Sequence, residues 1–141
     1  LPGAPMVYAG QEFGQRGRRD DLAWEHAHES LRDHVRRLAR VRREHPALSS
    51  ASTAARIEYE VRDGVADRVT AYELTTGEAS VITVLNFDAD PATVRVPGAE
   101  TADHLTGGSV GVDDGSGSTL TVDSVAIVSA TESVARHNPD R

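Results

Sequence analysis

Near Arg56 the hydrophobic period of this chain changes from 3.6 residues to 2, which limits the fold to a helical piece followed by an all-β piece. Seven short strand-like segments follow: RIEYEVR, RVTAYEL, SVITVLNF, ATVRV, SVGVD, STLTV and VAIVS. Asp63-Gly64, Thr76-Gly77, Pro97-Gly98 and Asp114-Gly115 separate them with turn chemistry. So many short strands joined by tight turns predict an antiparallel β-sandwich. SVITVLNF is the most continuously apolar of them and belongs at the centre of a sheet, while Asp63-Gly64 and Thr76-Gly77 are expected hairpin tips. The polar residues 133–141 are expected to fray.

Before the change of period, residues 30–44 predict one helix. Ser30 is the expected N-cap, with Asp33 three residues on, and Leu31, Val35, Leu38 and Val41 form a single apolar stripe. Arg36, Arg37, Arg40, Arg42 and Arg43 load its C-terminal half, where positive charge complements the helix dipole, and Pro46 ends it. The arginine run reads as a solvated, salt-bridged face rather than a nucleic-acid surface. Residues 11–28 form a polar loop with a short helical turn, carrying Gly14, Gly17, Asp20, Asp21 and the only tryptophan, Trp24.

Residues 5–9 are an apolar run bounded by Gly3 and Gly10, the pattern of a strand buried on both faces in a parallel sheet. A lone strand of that kind can satisfy neither its backbone nor its two faces. Its sheet is therefore expected in sequence outside these 141 residues, and Met6, Val7 and Phe13 are expected to be exposed in the isolated chain.

Composition narrows the chemistry. All 15 basic residues are arginine, against 22 Asp and Glu spread along the chain, for a net charge of −7. Either adaptation to high salt, where acidic self-repulsion is screened, or a GC-rich genome accounts for this. Net acidity argues against nucleic-acid and anionic-membrane partners, and no apolar stretch is long enough to span a bilayer. Without cysteine there is neither a disulfide framework nor a thiolate metal site, and the compartment stays open, with the cytoplasm preferred. Position 1 is Leu, so any targeting segment is expected upstream. His26, His28, His34, His45, His104 and His137 make no zinc pattern, and His45 is expected to cap carbonyls at the helix end. Gly107-Gly108 reads as a turn rather than a phosphate cradle, and no G-x-S-x-G elbow is present.

Three stretches together resemble one family. LPGAPMVYAGQEFG is similar to the G-x-P-x-x-Y-x-G-x-E motif on the eighth barrel strand of the α-amylase family of glycoside hydrolases, matching at Gly3, Pro5, Tyr8, Gly10 and Glu12. LRDHVRRLARVRREHPAL resembles that family's last barrel helix, matching at Leu38, Arg42, His45, Pro46, Ala47 and Leu48. VLNF, from Val84, falls where the family's C-terminal sandwich carries its Val-x-N-hydrophobic strand.

The resemblance implies an α+β chain: residues 1–49 as the end of a (β/α)8 barrel, 50–132 as a Greek-key type C-terminal sandwich, and 133–141 as a tail. It also implies retaining hydrolysis of α-glucosidic bonds in starch-like glucans or maltooligosaccharides. That chemistry places two carboxylates about 5 to 5.5 Å apart across the bond. In the family the catalytic carboxylates come from earlier barrel strands, so the fragment is expected to hold no catalytic residue and to be inactive alone. No cofactor is implied here, a calcium ion being a feature of the absent barrel part, and the oligomeric state is left open. Glu12, at the C-terminal end of a barrel strand, is read as a scaffold acceptor rather than an acid. Asp20, Asp21 and Glu25 are read as solvated loop acids rather than a calcium site. Arg16, Arg19 and Trp24, with Arg18 beside them, are candidates to border the sugar cleft, although the family's Arg-x-x-Met-x-Trp spacing is missing. Trp24 is open to two readings, a stacking platform for a glucose ring or a packing anchor. A different class of function also remains, a non-catalytic carbohydrate-binding or interaction module with a helical extension.

Overall fold

The computed structural model describes residues 5–15, 21–49, 51–77, 79–115 and 117–131, with the side chain of His26 excepted. Gly3, Arg16, Gly17, Arg18, Arg19, Asp20, His137 and the tail expected to fray lie outside them. The described chain is mostly antiparallel sheet with one helix, α1 (Glu29–Glu44). Short 3-10 turns at Gln11–Phe13 and Trp24–His26 precede it, and a third, Pro46–Leu48, follows. The strands are β1 (Thr53–Arg56), β2 (Glu60–Asp63), β3 (Val69–Thr76), β4 (Ala79–Asn86), β5 (Ala92–Val96), β6 (Ala99–Asp103), β7 (Gly111–Asp113), β8 (Ser118–Val122) and β9 (Val125–Ala130). They form a five-stranded sheet in the order β1-β3-β4-β9-β6 and a four-stranded sheet in the order β2-β5-β8-β7.

Alternation places the core. Val69, Ala71, Ile82, Val84, Ala126 and Val128 of the first sheet meet Ala92, Val94, Val96, Leu120 and Val122 of the second. Each of the Val, Ile and Leu side chains, taken from water, contributes roughly 1.5–3 kcal/mol. The other face of the five-stranded sheet is covered too: Leu74, Val81 and Ile127 pack with Leu105 against Val41 of α1 and Ala47 and Leu48 after it. That double cover explains why β4, the SVITVLNF segment, is apolar at successive positions and sits third of five.

Several expectations are corrected. Residues 5–8 form no strand, because the described chain offers them no ladder partner; Met6 and Val7 are exposed, as expected, and so is Tyr8. Phe13, expected at the surface, is instead 1% exposed beneath α1 and Trp24. The helix begins at Glu29 with His28 in the N-cap position and no side-chain cap, so Ser30 lies within the first turn; the Arg32 N–H bonds the His28 carbonyl. RIEYEVR splits into the end of β1 and most of β2, which belong to different sheets. Its period of 2 survives the crossing, since Ile57, Tyr59 and Val61 all pack on the interior and the Tyr59 hydroxyl donates to the Val69 carbonyl at 2.9 Å. Asp63-Gly64 therefore turns the chain between sheets and is not a hairpin tip. Thr76-Gly77 does close the β3–β4 hairpin, in register from Val69 opposite Asn86 to Thr76 opposite Ala79. β6, read as no strand in the sequence, pairs with β9 across a bulge.

Candidate functional site

The loop between residue 5 and α1 carries the sequence-derived site residues and is built by short-range bonds. Gly10 and Gly14 bracket the Gln11–Phe13 turn at φ 91° and 78°, left-handed conformations that a side chain disfavours. Gln15 N–H returns to the Gly10 carbonyl at 2.9 Å, and Tyr8 N–H donates to Gln11 Oε1 at 2.9 Å. Glu12 Oε2 accepts the Gly10 N–H at 3.0 Å, so its carboxylate is engaged with the backbone two residues back. The Gln15 amide staples the far side of the loop, donating to the Asp21 carbonyl at 3.2 Å and accepting from Ala23 N–H at 3.3 Å.

Phe13 is the anchor of this assembly. His28 N–H donates to its carbonyl at 3.0 Å, and its ring lies 4.8 Å from that of Trp24. The Arg32 guanidinium sits 5.8 Å from the Trp24 ring centre, a cation–π distance. Trp24 nevertheless stays 53% exposed. It is thus a packing partner of Phe13 that also presents aromatic surface to solvent, and both readings of Trp24 have a geometric basis. Arg16 and Arg19 lie outside the described residues. Asp21, Glu25 and the described histidines assemble no metal centre: among the described residues, no group of three or more His, Asp or Glu converges. No helix among them is long and apolar enough to cross a membrane.

Among the described residues, the two buried carboxylates, Asp103 and Glu73, lie in the sandwich and were not singled out in the sequence. Asp103 Oδ1 accepts from Leu105 N–H at 3.2 Å and Ile127 N–H at 2.9 Å, and Oδ2 from the Thr106 N–H at 2.9 Å and hydroxyl at 2.7 Å. Glu73 accepts from the Ser80 hydroxyl. Both are committed to internal donors. Asn86 is a third hub, its Nδ2 facing the carbonyls of Asp90, Val122 and Asp123 at 2.8 to 3.1 Å and its Oδ1 accepting from Asp88 N–H at 3.0 Å. A signal for it existed, since it is the polar residue of VLNF inside the most apolar strand. Arg36–Asp33 and Arg40–Glu44 are exposed pairs, as the solvated reading of the arginine run expects, and the half-buried Arg32 pairs with Glu29. His45 caps Val41 through its backbone N–H, while its ring packs against His104.

No protein-family profile matches the chain. Over 137 residues, 96% of its length, it is 51% identical to alpha-amylase MalA of Haloarcula japonica, and it spans 21% of that protein. Two solved structures share the fold. One is the maltogenic amylase from S. marinus, with a TM-score of 0.58 and 17% identity over 94% of this chain and 18% of that one. The other is the noncanonic maltogenic alpha-amylase AmyB from Thermotoga neapolitana, with a TM-score of 0.64 and 20% identity over 92% of this chain and 33% of that one. With its sandwich, the one α-helix among its described residues and the ordered motifs from Pro5 to VLNF, the chain belongs to the α-amylase family and corresponds to a C-terminal portion of it.

Proposed function

We propose that this chain supplies the C-terminal part of a retaining α-glycoside hydrolase acting on starch-like glucans or maltooligosaccharides, and that it is inactive by itself. The observation that carries this is the 51% identity to about a fifth of an alpha-amylase. In this reading residues 5–9 become the last strand of the barrel once neighbouring strands pair with them, and α1 is the last barrel helix. The exposed Met6, Val7 and Tyr8 fit such a missing cover, since apolar side chains this exposed in a row mark a contact surface. Glu12 holds the loop after that strand. Arg16, Arg19 and Trp24 border the sugar cleft, with the Trp24 ring stacking on a glucose unit. A calcium ion, where the enzyme has one, is held by the barrel.

Two assays in concentrated salt test the proposal. The first replaces the matching segment of the Haloarcula enzyme by this chain and measures reducing ends released from soluble starch. Retained activity is expected, and a folded chimera without activity overturns the assignment. The second incubates the chain alone with maltooligosaccharides. Hydrolysis there would overturn the placement of the catalytic carboxylates outside it.

A further inference from the structure

The joint between α1 and the sandwich contains a histidine pair that the glycosidase reading does not use. His45 ends α1 and opens the Pro46–Leu48 turn, and its ring lies 4.0 Å from that of His104, the planes inclined at 42°. His104 follows β6 directly. Its N–H donates to the Ile127 carbonyl at 2.8 Å, and its Nε2 lies 3.0 Å from Ser129 Oγ on the same outer face of the five-stranded sheet. The pair thus flanks the apolar contact of Val41, Ala47 and Leu48 with Leu74, Val81, Leu105 and Ile127.

We propose that His45 and His104 form a pH-sensitive latch, which holds the end of α1 and residues 46–48 on the sheet at neutral pH and weakens as the medium acidifies. Two imidazoles in ring contact coexist readily when neutral and repel when both are charged. The groups facing them sharpen this. From β6, Asp103 and Glu100 favour a charged His104, but the Asp103 carboxylate already accepts from four donors. From β9 the facing group is the neutral Ser129. On α1, Arg42 and Glu44 flank His45 in sequence, Glu44 lying 3.9 Å from Arg40.

Burial first, and the neighbouring His45 second, hold the His104 imidazole below its ordinary value of 6.5, against the pull of Asp103 and Glu100. An undocked His104 therefore takes up a proton at a higher pH than a docked one. The latch is at full strength above 6.5 and loses strength as pH falls from there towards the docked value, below which no further loss occurs.

Amide exchange on the full chain between about pH 8 and pH 5, the range in which histidine changes charge, tests the latch. The readout, corrected for intrinsic rates, is protection at His45 and Leu48, whose N–H groups bond the Val41 and His45 carbonyls, relative to protection in β4. Relative protection should fall on acidification by about tenfold for each unit separating docked and undocked His104. His104→Gln should abolish that fall, and His45→Gln, which removes only the repelling neighbour, should reduce it. An unchanged fall in either variant overturns the latch. So does a parallel loss in β4, which marks global acid unfolding.

Discussion

A single carboxylate at Asp103 stitches three pieces of chain: the Leu105–Thr106 turn, the end of β6 and β9 at Ile127. The side chain is 2% exposed, so any donor it abandons is left without water. Asp103→Ala is expected to destabilise the chain by roughly 3 kcal/mol, the cost of orphaned donors around a buried charged acceptor. Asp103→Asn keeps Oδ1 but turns an NH2 towards the Thr106 N–H, and should fall between the two. Denaturant melts read both, and an Ala variant within the error of the parent would show those bonds to be replaceable. Phe13 plays the matching part in the loop. Its removal in Phe13→Ala is expected to free the loop from α1, at a local cost of about 3 kcal/mol or more. Because Trp24 is the only tryptophan, its emission reports this directly, as a red shift with unchanged amide protection in the sandwich. Unchanged emission would mean that contacts other than Phe13, such as Arg32, suffice to position Trp24. None of Phe13, Asp103 or His104 had a readable partner in the sequence. Their roles depend on residues brought together by folding, such as Ile127 for Asp103 and Trp24 for Phe13, and periodicity carries no information about such pairs.

At the scale of elements, what could be read was what depends on local pattern. β5 and β8 stand where their alternation put them, because both face the sandwich core on one side only. β6, sequence AETAD, has one β-branched residue and little apolar area, and it becomes a strand because β9 offers it a ladder. The helix start departs from the sequence expectation for the same reason. Ser30 has the right chemistry, but the loop delivers the chain at His28, whose N–H is fixed to Phe13, so the first turn closes two residues earlier. β7 depends on close approach. A Cβ built at Gly111 would stand 2.3 Å from the Thr119 carbonyl oxygen and 3.0 Å from Leu120 Cα, backbone atoms of the partner strand that cannot rotate away. Gly111→Ala is therefore expected to push β7 off β8, costing about 1–3 kcal/mol, with faster amide exchange confined to β7 and the facing residues of β8. Parental exchange there would show that β8 can yield.

For the molecule as a whole, charge is divided unevenly along the chain. Residues 1–50 hold nine arginines against seven acids, and residues 51–131 hold four against thirteen. The sandwich carries the negative excess, and α1 brings positive charge to its outer face. The absence of lysine and this acidity agree with the 51% identical relative coming from Haloarcula, and the composition is halophilic in kind. Salt acts on two opposed contributions. It weakens the surface pairs Arg32–Glu29, Arg36–Asp33, Arg40–Glu44 and Arg62–Glu60, each worth about 0.2–1 kcal/mol. It also screens repulsion among the sandwich acids as the Debye length falls from about 10 Å at 0.1 M to about 3 Å at 1 M. The repulsion is expected to be the larger, because it acts between many charges on one small domain while each of these pairs is a surface contact. The docking of α1 survives screening, since Val41, Ala47 and Leu48 hold it by apolar burial. The melting temperature should therefore rise between about 0.1 M and 1 M NaCl, by about 4 °C for each kcal/mol of repulsion removed. Salt also strengthens apolar burial by exclusion from the surface, so the charge effect needs its own control. Neutralising the exposed Glu58, Asp67 and Asp123 as Glu58→Gln, Asp67→Asn and Asp123→Asn should raise the melting temperature in low salt and flatten its dependence on NaCl. If parent and triple variant respond to salt with the same slope, the stabilisation comes from apolar burial, and acidic self-repulsion is not what limits this fold.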